Sequence, residues 1–112
     1  MKLSSYLLRM RRLLADSSSW TKWASARNSR GKVVAPSDCS AVKFCLFGAV
    51  TKVISENCMG STICALDDEL NKTAVRRGKG NGVSFNDAKD TTHKDVLDLI
   101  ESTRSRLRRQ GR

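Results

Sequence analysis

The sequence holds no run of apolar residues long enough to cross a bilayer, so no transmembrane helix and no membrane partner are predicted. Its four cysteines, Cys39, Cys45, Cys58 and Cys64, form no C-x-x-C pair, and the lone His93 lies far along the chain. Zinc-ribbon and zinc-finger spacings are therefore absent, and no metal site is predicted. No segment of about 20 to 50 residues recurs, which argues against a solenoid. A secretory signal is also missing, because Arg9, Arg11 and Arg12 interrupt Tyr6, Leu7 and Leu8 before an apolar core can form. A mitochondrial presequence, likewise Arg-rich and amphipathic, is the weaker alternative to a mature intracellular, cytoplasmic protein.

Acidic residues are missing from both ends. Lys2, Arg9, Arg11 and Arg12 have no acid among the first twelve residues, and Arg104, Arg106, Arg108, Arg109 and Arg112 have none after Glu101. These nine bases supply nine of the ten formal positive charges, while the middle of the chain is nearly balanced. Charge spread evenly would signal solubility; charge gathered at the ends points to a contact surface for a polyanion or an acidic partner.

A chain of 112 residues suits one domain that buries about two-thirds of its unfolded surface. That is enough for one core but not for a deep cofactor cavity, and no cofactor is predicted. Residues six apart on a helix differ by about 240°, so neither six-spaced cysteine pair shares a helical face. The cysteines read as free buried thiols, with a disulfide of Cys58 to a neighbour in its own loop region left open.

The apolar spacing predicts a mainly α fold, a small four-helix domain over residues 1–103 with a minor β-hairpin or extended element. Residues 104–112 read as a basic extension of the last helix that adds little beyond Leu107 to stability. The first helix, 4–15, carries Leu3, Leu7, Met10 and Leu14 on one stripe, with Ser4 or Ser5 as N-cap. Asn28-Ser29-Arg30-Gly31 reads as a turn between extended pieces at 22–27 and 32–34. Pro36-Ser37-Asp38 signals a helix over 39–56 that is apolar nearly all round, with Gly48 at a close helix crossing. The next helix runs from Gly60 to about Val75, with Asp67, Asp68 and Glu69 outward, and a basic loop follows. Val83-Ser84-Phe85 reads as extended. Thr92-His93-Lys94-Asp95 has capping-box spacing and opens the last helix, which runs to about Arg108.

This order of signals, with Trp20, Ala24, Ala26 and Arg27, then Pro36 and Asp38, then Cys45, Gly48 and Ala49, resembles a family of small domains of unknown function from phages and bacteria. The likeness continues through Asn86, Asp87 and Ala88 to Thr92, His93, Val96 and Leu97, and covers about residues 5–103. Phe85 stands where family members often have Trp, and Cys39, Cys58, Cys64 and the basic C-terminus look like additions of this chain. The resemblance implies a fold and a phage or bacterial setting, with no established activity.

Asn86, Asp87 and His93 are the one grouping with catalytic chemistry, since a carboxylate can orient an imidazole that serves as base. The structural account is a polar turn, a Thr92 cap and an exposed imidazole. Cys45, placed mid-helix among Phe44, Leu46 and Phe47, has surroundings that oppose a thiolate. Gly78 to Gly82 follows a helix, unlike a nucleotide loop, so Arg76, Arg77 and Lys79 read as additions to a polyanion surface. Arg27 reads as an ion-pair partner of Asp87 or Asp38. The leading reading is non-catalytic binding of nucleic acid or a nucleoprotein through Arg9, Arg11, Arg12, Arg76, Arg77, Lys79, Arg104, Arg106, Arg108 and Arg109, the two basic ends being brought to one end of the bundle. The alternatives are an accessory protein that docks on an acidic host or defence protein, a minor virion component, and, third, a small enzyme using Asn86, Asp87 and His93.

Overall fold

The amphipathic stripe of the first helix dictates what it packs against. In the computed structural model, which describes residues 1–54, 60–78 and 80–112, α1 spans Leu3–Leu13 and buries Tyr6, Leu7 and Met10, with Leu14 just beyond its end. Neither Ser4 nor Ser5 is its cap: the N-cap position is Lys2, and Ser4 is buried within the first turn. α5, His93–Arg109, buries Val96, Leu99, Ile100, Thr103 and Leu107 at helical spacing and is the main partner of α1. The two run in opposite senses, the end of α1 meeting the start of α5 where the Leu14 carbonyl bonds His93 Nε2. The predicted capping box is present, with Thr92 Oγ1 accepting from the Asp95 N–H and the Asp95 carboxylate accepting from the Thr92 N–H at 2.9 Å.

Two more helices complete the frame. α2, Leu46–Ile54, packs on α1 and on α3, Gly60–Arg76, which also lies against α5. Leu46, Val50, Ile54, Leu66 and Leu70 meet the α1 and α5 side chains in one apolar core. A short helix α4, Gly82–Asp87, buries Phe85 and Asn86 against α2 and α3. Among the described residues no helix is long and apolar enough to cross a membrane.

The turn at Asn28 forms as predicted: Gly31, at φ 79°, donates to the Asn28 carbonyl, and Asn28 Oδ1 accepts from the Arg30 and Lys32 N–H groups. The predicted hairpin is present in short form, Val34 donating to the Ala26 carbonyl at 3.1 Å and Asn28 to the Lys32 carbonyl at 2.9 Å, and a second pairing that was not predicted joins it. β1, Ala26–Arg27, pairs antiparallel with β2, Lys43–Phe44, in the register Ala26 to Phe44, while Arg27 and Val33 form only an isolated bridge. Residues 43–44 are thus extended where a helix from Cys39 was predicted. The β1 segment has carbonyls to satisfy, and Val42 and Cys45 donate to Arg27 and Ser25. Asp38 holds Ser40 in a local turn and starts no helix. The last residues of the predicted 39–56 helix, and also Cys58 and Lys79, lie outside the described residues.

Gly48 is needed for a close approach, as predicted, but its neighbour is the bend at Ser25 just before β1 and not another helix. A Cβ at Gly48 would stand 1.8 Å from the Ser25 carbonyl oxygen. The predicted extended piece at Val83 is helical instead: Asn81 Oδ1 caps it by accepting the Ser84 N–H at 2.8 Å, and Asn71 Oδ1 accepts the Gly82 N–H at 2.7 Å. Glu69, predicted to face outward with its acidic neighbours, is buried.

Candidate functional site

The reason Glu69 is buried leads to the basic surface. Leu66, Glu69, Leu70 and Thr73 share the α3 face turned to α5, and Arg106 of α5 comes down on it. Arg106 Nη1 donates to Glu69 Oε1 at 2.8 Å, and Nη2 donates to the Glu69 carbonyl at 3.0 Å and to Thr73 Oγ1. Lys72 and Arg112 reach the other carboxylate oxygen at 3.4 and 3.2 Å. Burial pushes the Glu69 carboxyl up, but the Arg106 hydrogen bond and the charges of Arg106, Arg112 and Lys72 outweigh it and hold the group below its ordinary value. Arg106 is thus an anchored residue, not one of a row of free surface charges.

Around that anchor, Arg76, Arg77, Arg106 and Arg109 line a shallow cavity of about 240 Å³ together with Thr73 and Ser102. Arg77 is fixed by donating to Ser102 Oγ at 2.7 Å and to the Asp98 carbonyl, whereas Arg76 and Arg109 are exposed and make no hydrogen bond or ion pair among the described residues. Among the described residues no carboxylate lines the cavity. The basin is positively charged, with the Arg77 and Arg106 guanidinium groups held by hydrogen bonds and those of Arg76 and Arg109 exposed.

The remaining basic residues are distributed differently. Arg11 and Arg104 share Glu101, at 3.3 and 3.1 Å, and this carboxylate is where the two basic ends of the sequence meet. Arg9, Arg12 and Arg108 are exposed. Arg106 is not part of this group, since it turns to Glu69 on α3.

A second grouping holds most of the sequence-motif residues. Asn86 is 1% exposed, and its side chain staples three segments. Its Oδ1 accepts from Trp20 Nε1 at 2.7 Å and from the Leu46 N–H at 3.2 Å, and its Nδ2 donates to the Thr21 carbonyl and to Asp87 Oδ1. The same Asp87 oxygen accepts the Trp23 N–H at 2.9 Å. Trp23 sits at φ 62°, in the left-handed region, a conformation that costs a bulky residue about 1 to 3 kcal/mol and that Asp87 helps to hold. Lys22 Nζ lies 5.5 and 5.9 Å from the Trp20 and Trp23 ring centroids and donates to the Ala88 carbonyl.

No hydrogen bond joins Asp87 to His93 among the described residues: Asp87 accepts from the Trp23 N–H, and His93 bonds Leu14 and lies beside the Trp20 ring. Arg27 does not pair with Asp87 or Asp38. Its guanidinium donates to Thr21 Oγ1, the Gly31 carbonyl and the Lys22 carbonyl, closing the loop around itself. Cys45 stands immediately before α2 and not mid-helix, and its sulfur accepts the Gly48 N–H at 3.3 Å. Burial still pushes its thiol up, against that hydrogen bond. Cys39 and Cys64 are exposed free thiols, not the buried ones predicted. No grouping of metal-ligating side chains occurs among the described residues.

Sequence reasoning missed Thr73, Ser102 and Glu69. A signal for the first two was present, because Thr73 is three and four residues before Arg76 and Arg77, and Ser102 is four before Arg106. The contribution of Trp23, Phe47 and Val83 to one surface depends on chain segments far apart in sequence and had no such signal.

No curated protein and no solved structure matches the chain. Residues 1–106 match the model of a family described as Family of unknown function (DUF6197), and the chain belongs to that family.

Proposed function

We propose that the protein is a non-catalytic binder of nucleic acid, free or in a nucleoprotein, that engages phosphates with the arginine face of α3 and α5. One observation carries this reading: four guanidinium groups and two hydroxyls converge on one cavity with no carboxylate among the described residues of its lining. The formal charge of +10 supports it through long-range attraction of polyanions. The motif resemblance supports a phage or bacterial setting, in the cytoplasm of the cell concerned.

The test is binding of mixed-sequence duplex DNA and of single-stranded RNA at about 150 mM salt, where long-range attraction is screened beyond about 8 Å. The parent protein binds at least one of them, and the R76A/R109A double variant binds at least about tenfold more weakly, the loss of two charge-assisted contacts. Absence of nucleic-acid binding, together with capture of an acidic protein that depends on the same two arginines, would replace this reading by docking on an acidic protein.

A further inference from the structure

Opposite in character to the arginine basin, a second shallow cavity of about 240 Å³ is walled by Trp23, Phe47 and Val83, with Asp87 as the one charged residue of its lining among the described residues. All three apolar walls are exposed, Trp23 to 73%, which is unusual for an indole held in a strained backbone conformation. The hydrogen bonds that fix this arrangement converge on Asp87 Oδ1, which accepts from Trp23 and Asn86, so Oδ2 retains its acceptor capacity among the described residues. Lys22, whose ammonium lies 5.9 Å from the Trp23 ring centroid, is tied to the Ala88 carbonyl and is not among the residues that line the cavity.

Apolar and aromatic walls with a single carboxylate match a side chain that has an aliphatic stem and a cationic head. We propose that this cavity takes a lysine or arginine side chain of a basic protein partner, its stem on Trp23, Phe47 and Val83 and its cation on Asp87. Charge complementarity selects the occupant: an acidic side chain meets Asp87 with repulsion, and a purely apolar one leaves a partly buried carboxylate without a counter-charge. The site is separate from the arginine basin, and the proposal stands independently of nucleic-acid binding. If both hold, the protein can grip an acidic strand and a basic chain at once.

The test is a titration of the 15N-labelled protein with an unlabelled peptide of alternating lysine and glycine at about 150 mM salt, following the two indole N–H signals. The Trp23 signal shifts on titration while that of Trp20, whose N–H is bonded to Asn86, stays in place. Asp87→Asn, which keeps an acceptor for Trp23, and Val83→Lys, an exposed position where a cation opposes the ligand, each weaken binding about tenfold or more, as expected for a lost charged hydrogen bond. The same peptide with norleucine for lysine binds about tenfold more weakly or not at all, and R76A/R109A leaves the titration unchanged. A Trp23 signal that does not move, norleucine binding equal to that of lysine, or parent-like binding by both the Asp87 and Val83 variants would overturn the assignment.

Discussion

Replacing Arg106 by Ala separates its structural role from the surface role that its sequence neighbours have. The Arg106 side chain is 12% exposed and the Glu69 side chain 3%, so their 2.8 Å contact lies in a desolvated setting. Removing one partner of such a pair leaves the other charge buried and costs about 3 to 5 kcal/mol. Lys72 and Arg112 still reach Glu69, which places the effect at the lower end, about 3 kcal/mol. For a domain of this size about 3 kcal/mol lowers the melting temperature by roughly 12 °C or more, a large part of a total near 5 to 15 kcal/mol. Urea and thermal unfolding followed by circular dichroism measure it. Arg109→Ala, at an exposed position, serves as control and changes stability by less than about 0.5 kcal/mol. Replacing both Arg106 and Glu69 by Met restores much of the loss, since apolar replacement of a buried pair is often neutral. An Arg106→Ala protein that melts like the parent would refute the view that the end of α5 is part of the fold. By the same logic, deleting residues 104–112 destabilises strongly, contrary to the small effect predicted from sequence, because Leu107 is fully buried as well.

Three further outcomes follow from particular contacts. Gly48→Ala places a methyl group against the Ser25 carbonyl, and the forced shift costs about 1 to 3 kcal/mol in a denaturant titration, with the β1 to β2 amides losing hydrogen-exchange protection first. Glu69 has a folded pKa below its unfolded value, so its stabilisation is complete above about pH 4.5 and is lost as pH falls through the folded value; Glu69→Gln flattens the acid limb of stability against pH. In the native protein a thiol reagent modifies Cys39 and Cys64 quickly and Cys45 only on unfolding, as peptide mapping by mass spectrometry shows, because Cys45 is buried with its thiol pushed up.

Features encoded over a few residues were legible in the sequence. The capping box at Thr92 and the stripes of α1 and α5 needed only local spacing, and both helices lie close to where they were predicted. The start of α2 was not legible, because whether residues 43–44 extend or coil depends on their partners Arg27 and Ala26, sixteen and eighteen residues away. Val83 and Phe85 favour strands intrinsically, yet the Asn81 cap and the Asn71 bond to Gly82 wind them into α4. Glu69 was assigned by its acidic neighbours, whereas helical spacing from Leu66 places it on the inward face. The charge pattern of the sequence located the arginines but not their partners, so Arg106 and Arg104, both held by carboxylates, were read together with the free Arg76 and Arg109.

The most direct test of the central proposal is the salt dependence of duplex-DNA binding by the parent and by R76A/R109A. If Arg76, Arg77, Arg106 and Arg109 each meet a phosphate, the slope of log K against log salt is about −3.6, and removing two of them brings it to about −1.8. Unchanged unfolding curves for the double variant establish that only the surface has been altered. A slope that is the same for both proteins would contradict the account, because the basin formed by α3 and α5 would then make no phosphate contact.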